Sequence, residues 1–141
     1  MMISTRGRYA LHIMIDLAQH SGQGPVSLKA IAGRQGISLK YLEAIIALLN
    51  KNDLVNSTRG KEGGYTLARN PGEITVSQVI NAAEGSIAPV ACVGESDSPC
   101  ENADCCLTLP LWQNLDRLIN DYLAAITILD LAEGKIPPPN V

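Results

Sequence analysis

Phenylalanine is absent from this chain, tryptophan occurs once and tyrosine four times. A core without aromatic bulk must be assembled from leucine, isoleucine, valine and alanine, which suits packed helices. No uncharged apolar run approaches the ~20 residues a bilayer-crossing helix needs, so no membrane partner is expected. The opening Met1-Met2-Ile3-Ser4-Thr5-Arg6 has no apolar stretch of signal-peptide type, and the expected location is the cytoplasm. Catalytic signatures are missing as well. No nucleophile–base pair, phosphate-cradling glycine loop or pair of catalytic carboxylates stands out, so an enzyme is not expected. The paired C-x2-C knuckles that mark structural zinc are also lacking.

What is present points elsewhere. The 141 residues, 46% of them hydrophobic, supply one compact domain with room for an appendage. The net charge of −3 hides a division: residues 1–70 carry +5 and residues 71–141 carry −8. A basic half joined to an acidic half fits a polyanion-binding face with a separate, non-binding appendage.

The hydrophobic pattern predicts a mainly α fold with a small β-hairpin wing. Leu11, Met14, Ile15 and Ala18 recur at three and four, which predicts an amphipathic helix from Ser4 to His20. Ser27 reads as the N-cap of a short helix with Leu28 and Ile31 inward, Gly36 as its break, and Ser38 as the next N-cap. Leu39, Leu42, Ile45, Ile46 and Leu49 then carry a third helix to about Lys51, completing a helix-turn-helix. Leu54–Ser57 and Tyr65–Leu67 read as two strands around a glycine-rich basic tip. Thr75 and Gln78 form a capping box opening a fourth helix.

Four segments follow from this pattern. Residues 1–84 are expected to be a winged helix-turn-helix domain, 85–107 a cysteine-rich loop, 108–134 one long C-terminal helix, and 135–141 a loose tail. The long helix opens at Pro110 and repeats Trp112, Leu115, Ile119, Tyr122, Ile126 and Leu129. A second stripe of Leu111, Leu118 and Ala125 flanks the first. Two apolar faces need two covers, so a homodimer through this helix is expected.

In a helix-turn-helix the second helix enters the major groove with its first residues foremost. Here Ser38, Lys40 and Tyr41 can reach phosphates or base edges, and Glu43 can accept from cytosine N4. Arg59, Gly60 and Lys61 put cations on a thin backbone suited to the minor groove. Arg6 and Arg8 add phosphate contacts at the start of the first helix. The expected partner is a double-stranded DNA operator, pseudo-palindromic for a two-fold dimer.

Cys92, Cys100, Cys105 and Cys106 fall within fifteen residues. Without a secretion signal, such a cluster reads as metal or redox chemistry before disulfide. Soft thiolates suit zinc or an iron–sulfur cluster, and the spacing leaves those two level with reactive thiols third.

Gly7-Arg8-Tyr9-Ala10, Arg34-Gln35-Gly36-Ile37-Ser38-Leu39 with Tyr41-Leu42-Glu43, and Arg59-Gly60 with Gly63-Gly64-Tyr65 resemble the Rrf-type winged-helix regulators. Cys106-Leu107-Thr108 followed by Leu111-Trp112 is most similar to the iron–sulfur cluster regulators within that family, and the likeness runs to about residue 134. The resemblance implies a homodimeric transcription factor that senses a cluster through three cysteines, here Cys92, Cys100 and Cys106. It further implies repression of cluster-biogenesis genes, with the cluster-assembly machinery as donor, and DNA contacts at Ser38, Tyr41, Glu43 and Arg59.

Two departures stand out. The first two cysteines are more widely spaced than the family pattern, and Leu109 occupies the position of a ligating histidine. Cys105, or His12 on the first helix, is then the candidate fourth ligand. The plain reading of His12 is a solvated Arg8-His12-Asp16 stripe with weak ion pairs. A [2Fe–2S] cluster is expected before a [4Fe–4S] one. The alternatives are a thiol, nitric-oxide or cysteine-metabolism sensor on the same scaffold and, from another class, a small electron-transfer iron–sulfur protein. The last would have no use for a basic, glycine-framed wing.

Overall fold

Residues 3–61, 63–90, 93 and 107–139 are described in the computed structural model. Within them the chain runs α1 (Thr5–Gln19), α2 (Leu28–Gln35), α3 (Leu39–Lys51), β1 (Val55–Thr58) and β2 (Gly64–Leu67). A 3-10 turn (Pro71–Glu73), α4 (Val76–Glu84), α5 (Leu109–Ala124) and α6 (Ile128–Glu133) follow. This is the expected mainly α fold with a two-stranded wing, and no described helix is long and apolar enough to cross a membrane.

The helix-turn-helix forms where its caps predict. The side-chain oxygens of Ser27 and Ser38 accept from the Ala30 and Tyr41 N–H groups, each cap contributing about 1 kcal/mol. Gly36 takes φ 66° between the helices, a left-handed turn that any Cβ would strain. Ile31 of α2 and Leu42, Ile45, Ile46 and Leu49 of α3 share one core with Ala10, Ile13, Met14 and Leu17 of α1.

That list corrects the face expected of α1. Of the periodic set only Met14 is fully buried, while Leu11, Ile15 and Ala18 are half-buried. Because α1 is packed by α2, α3, α4 and α6 together, it buries a broader arc than one stripe. The arc includes Asp16, which therefore leaves the expected Arg8-His12-Asp16 surface row.

The wing pairs antiparallel from Val55 opposite Leu67 to Thr58 opposite Gly64. A third segment, not evident in the sequence, joins it. Val26 N–H donates to the Tyr65 carbonyl at 2.9 Å, and Tyr65 N–H to the Val26 carbonyl at 2.8 Å. This pairing ties the wing to the chain entering α2. It also explains Gly64, since a Cβ there would collide with the Val26 backbone. Gly64→Ala should accordingly lower folding stability by about 1–3 kcal/mol, as overpacking does. Gly33→Ala, in α2 with open space around it, should be neutral or stabilising by up to about 1 kcal/mol. Urea denaturation of both variants checks the contrast; equal effects would remove the close-approach account.

The single helix expected over 108–134 is corrected. Thr127 is extended and opens α6 with a capping box: its hydroxyl accepts from Asp130 N–H, and the Asp130 carboxylate accepts from Thr127 N–H. The break arises because residues 126–128 pair with the strand-like entry to α4. Val76 N–H donates to the Ile126 carbonyl at 2.8 Å, and Ile128 N–H to the Ile74 carbonyl at 2.9 Å. Ile126 and Ile128 thereby become core residues, and Leu129 drops off the stripe onto the surface. In the tail the Tyr122 hydroxyl donates to the Pro137 carbonyl at 3.4 Å, while Ile136, Pro138 and Pro139 are exposed. Half-buried Pro137 lines a shallow cleft with Tyr122.

Candidate nucleic-acid interface and cysteine loop

Four buried residues, Leu42, Ile45, Ile46 and Leu49, pin α3 to the core and turn its other face outward. Ser38, Lys40 and Glu43 are all exposed at its N-terminal end. The Ser38 hydroxyl is engaged as a cap, accepting from Tyr41 N–H at 3.2 Å, while its proton remains available to donate. Tyr41 is half-buried, its ring edge-on to Tyr9 at 5.8 Å and 75°. That contact brings the start of α1 against the start of α3. Arg8, one residue before Tyr9, and Arg6 are exposed there, and Arg8 Nη2 donates to Thr5 Oγ1 at 3.2 Å.

Glu84 fixes the same end of α1. Its Oε1 accepts from Ser4 N–H at 2.9 Å, Ser4 Oγ at 2.6 Å and Gly7 N–H at 3.0 Å. A carboxylate at a helix N-terminus satisfies orphan donors and complements the helix dipole. Sequence reading missed this anchor, since 77 residues separate Gly7 from Glu84.

At the wing tip Arg59, Gly60 and Lys61 are exposed, with Gly60 at φ 117° and Gly63 N–H donating to its carbonyl at 3.0 Å. Lys61 and Gly63 line one open cleft with Ser27, Ala30 and Arg34 of α2. The wing tip therefore groups with α2, whereas Arg6 and Arg8 group with the start of α3.

Beneath α2 lies the one buried charge among the described residues, Asp16. Arg34 clamps it with both prongs, Nη2 at 2.7 Å and Nε at 3.0 Å, and Gln35 Nε2 adds a third bond at 3.0 Å. His20 Nδ1 lies 2.7 Å from the Asp16 carbonyl and 3.4 Å from its carboxylate. Burial pushes the Asp16 carboxyl upward, but the hydrogen bonds from Arg34 and Gln35, with the charges of Arg34 and His20, outweigh it and hold the group below its ordinary value. The motif containing Arg34-Gln35 was legible in the sequence; its partner was not.

Cys92, Cys100, Cys105 and Cys106 lie outside the described residues. Ahead of them in the chain, Ile87 is buried with Val76, Ile80 and Ile126. Val93 lines a polar cleft with Asn81 of α4 and Asp116 and Asn120 of α5. His12 is exposed on α1 and has no hydrogen-bond partner among the described residues. Leu109 is the half-buried first residue of α5. The described residues alone contain no group of three or more metal-ligating side chains. The chemistry of the full donor set, four thiols within fifteen residues, does suit a thiolate-ligated iron centre.

Comparison with known proteins agrees with this architecture. A family model described as Rrf2, an iron-dependent transcriptional regulator, matches residues 3–134. The HTH-type transcriptional regulator IscR of Pectobacterium atrosepticum is 45% identical over 135 residues, covering 96% of this chain and 81% of that protein. A putative HTH-type transcriptional regulator, ORF2, of Azotobacter vinelandii is 46% identical over 131 residues, covering 93% of this chain and 79% of that protein. Among solved structures, CymR (YrzC), the global cysteine regulator of B. subtilis, superposes with a TM-score of 0.77 at 40% identity, covering 95% of this chain and 98% of that one. T. potens IscR superposes with a TM-score of 0.75 at 42% identity, covering 95% and 88%.

Proposed function

The chain belongs to the Rrf2 family of DNA-binding transcriptional regulators, and from that premise we propose that it senses an iron–sulfur cluster and represses cluster-biogenesis genes. The carrying observation is the joining of a thiol-dense loop to a winged helix-turn-helix whose family is described as iron-dependent. Cys92, Cys100 and Cys106 would hold the cluster, a [2Fe–2S] centre before a [4Fe–4S] one, supplied by the assembly machinery of the cytoplasm. Leu109 has no donor atom, so the fourth position falls to Cys105 or to His12, which is exposed and has no hydrogen-bond partner among the described residues. When bound, the cluster supplies a signal that its own loss or oxidation switches off.

Ser38, Lys40, Tyr41 and Glu43 would read the major groove of a pseudo-palindromic operator. Arg59, Gly60 and Lys61 would enter the minor groove, and Arg6 and Arg8 would hold phosphates. The protein acts as a homodimer through α5, which buries none of its residues within one chain. A loop rooted through Ile87 on α4 can shift α4 against α1 and α3, and so alter the reading surface.

Protein purified without oxygen should show charge-transfer bands with stoichiometric iron and acid-labile sulfide. Loss of the cluster should change operator affinity about ten-fold or more, within the usual range of allosteric coupling. A colourless protein that resists reconstitution would remove the cluster, and equal affinity with and without it would remove the sensing.

Two observations favour one second reading, a cysteine-metabolism regulator working through the thiols themselves. Leu109 stands in place of a ligand, and the chain superposes closely on the B. subtilis cysteine regulator. A reversible change of operator affinity on thiol oxidation, in metal-free protein, would select it.

A further inference from the structure

Six large apolar side chains are strongly exposed among the described residues, and five of them, Leu107, Leu111, Leu118, Leu129 and Ile136, belong to the C-terminal third. The sixth is Leu39, 45% exposed, alone of its kind in residues 3–90. Its spacing to Leu42, Ile46 and Leu49 puts it at the end of the buried stripe of α3, yet unlike those three it is exposed. Leucine in water at a place where serine or lysine would serve leaves apolar area uncovered at a cost. The C-terminal dimer helix lies on another part of the chain and gives no reason for it.

Leu39 is the first residue of α3, between Ser38 and Lys40. Cα–Cβ bonds tilt toward a helix N-terminus, so a side chain at this position projects past the end of the helix. In a helix-turn-helix that end meets the base edges. The major groove offers one purely apolar feature, the 5-methyl group of thymine. We propose that Leu39 is a specificity-determining residue that packs on a thymine methyl in each half-site. It would complement Glu43, one helical turn on, whose carboxylate suits a cytosine amino group. Together they would select neighbouring pyrimidines by opposite chemistries, apolar contact and hydrogen bonding. This inference rests on α3 being the DNA-reading helix.

The test uses the intact protein and a duplex it selects from a random-sequence pool. Each thymine is replaced in turn by deoxyuridine, which deletes the methyl and keeps every base-pairing and groove hydrogen-bond group. For the parent protein, one thymine per half-site should be sensitive. Affinity should fall about four-fold for one half-site and about fifteen-fold for both, the effect of one buried methyl each. Leu39→Ala should bind the thymine duplex more weakly, keep its affinity for random-sequence DNA, and be indifferent to that deoxyuridine. Leu39→Met, which keeps an apolar side chain, should retain the sensitivity. The proposal is overturned if no thymine is sensitive, or if parent and Leu39→Ala lose the same factor. Failure to select any duplex would overturn the DNA-reading assignment and this inference with it, a result distinct from selection without methyl sensitivity.

Discussion

Replacing Asp16 with alanine lowers folding stability by about 2–3 kcal/mol at neutral pH, a drop of roughly 5–10 °C in Tm for a chain of this size. The carboxylate is buried and accepts three side-chain hydrogen bonds, two of them from the Arg34 guanidinium. Bonds to charged groups contribute about 1.5–3 kcal/mol each. Arg34 is partly open to solvent and recovers some of the loss by hydration once released. The pH dependence carries the sharper signature. The folded Asp16 carboxyl lies below its ordinary value, so its stabilisation is fully present above the unfolded carboxylate range near 4. It is lost as the pH falls through the folded value. Parent and Asp16→Ala should therefore differ most at pH 6–7 and converge on acidification. Arg34→Ala should converge on the parent in the same direction but from a higher pH: Asp16 is left buried without its cation, burial then raises its carboxyl, and the variant regains stability relative to the parent as that carboxyl protonates. Denaturant melts at about pH 7 and about pH 3.5 decide this, and a pH-independent gap for Asp16→Ala would sink the account.

The consequence reaches function, because the clamp sits at the end of α2 just before the Gly36 turn. It fixes α2 on α1, while Tyr9 and Tyr41 fix α3 on α1. The angle between the two helices of the helix-turn-helix is thus set from one side by an ion pair and from the other by an aromatic edge contact. Glu84 sets the third point, holding the first turn of α1 to α4, the helix against which Ile87 is buried through Ile80. α1 thus touches both α4 and α3, and α4 also packs directly on α3.

Local signals were legible in the sequence and distant partners were not. Ser27, Ser38 and the Thr75–Gln78 box each act within three residues, and each caps the helix it announced. Gly36 and the glycine-rich wing tip are likewise local. Asp16 had to be assigned from helical spacing to Arg8 and His12, and that failed because its true partners, Arg34 and Gln35, come from another helix. The uninterrupted C-terminal helix failed for a related reason. Ile126 and Leu129 keep helical spacing with Tyr122, but hydrogen bonds to residues 74 and 76 break the helix, and no periodicity reports those. The pairing of Val26 with Tyr65 was hidden because a single bridged residue has no alternation to read. Of the candidate site, Ser38, Lys40 and Glu43 on α3 and Arg59, Gly60 and Lys61 at the wing tip are exposed. The cysteines fall outside the described residues.

Converting Leu111 and Leu118 to aspartate together yields a folded monomer whose operator affinity falls about 100-fold or more. The two leucines lie seven residues apart on α5, are 57% and 50% exposed, and make no contribution to either buried core cluster. The helix is 16 residues long, about 24 Å, and buries none of them, although Ile119, Tyr122 and Leu123 lean on the second core cluster. Its inner side is therefore covered by the second core cluster, and among the described residues its outer side is exposed. A copy of the same helix, crossing it about a two-fold axis, would cover both leucines at once, since a symmetric contact presents the same patch to itself. Two carboxylates at that contact must face their own mates across the axis, and desolvated like charges do not tolerate this. The fold of one chain should survive, because neither position is buried in it, and an unchanged far-ultraviolet dichroism spectrum checks that. Operator affinity falls because joining two reading heads raises the second's effective concentration, which multiplies affinity by about 10²–10⁴. Sedimentation at micromolar concentration gives the oligomeric state directly. If the parent sediments as a monomer, the α5 dimer is wrong. If the double variant remains dimeric, the interface lies on another surface.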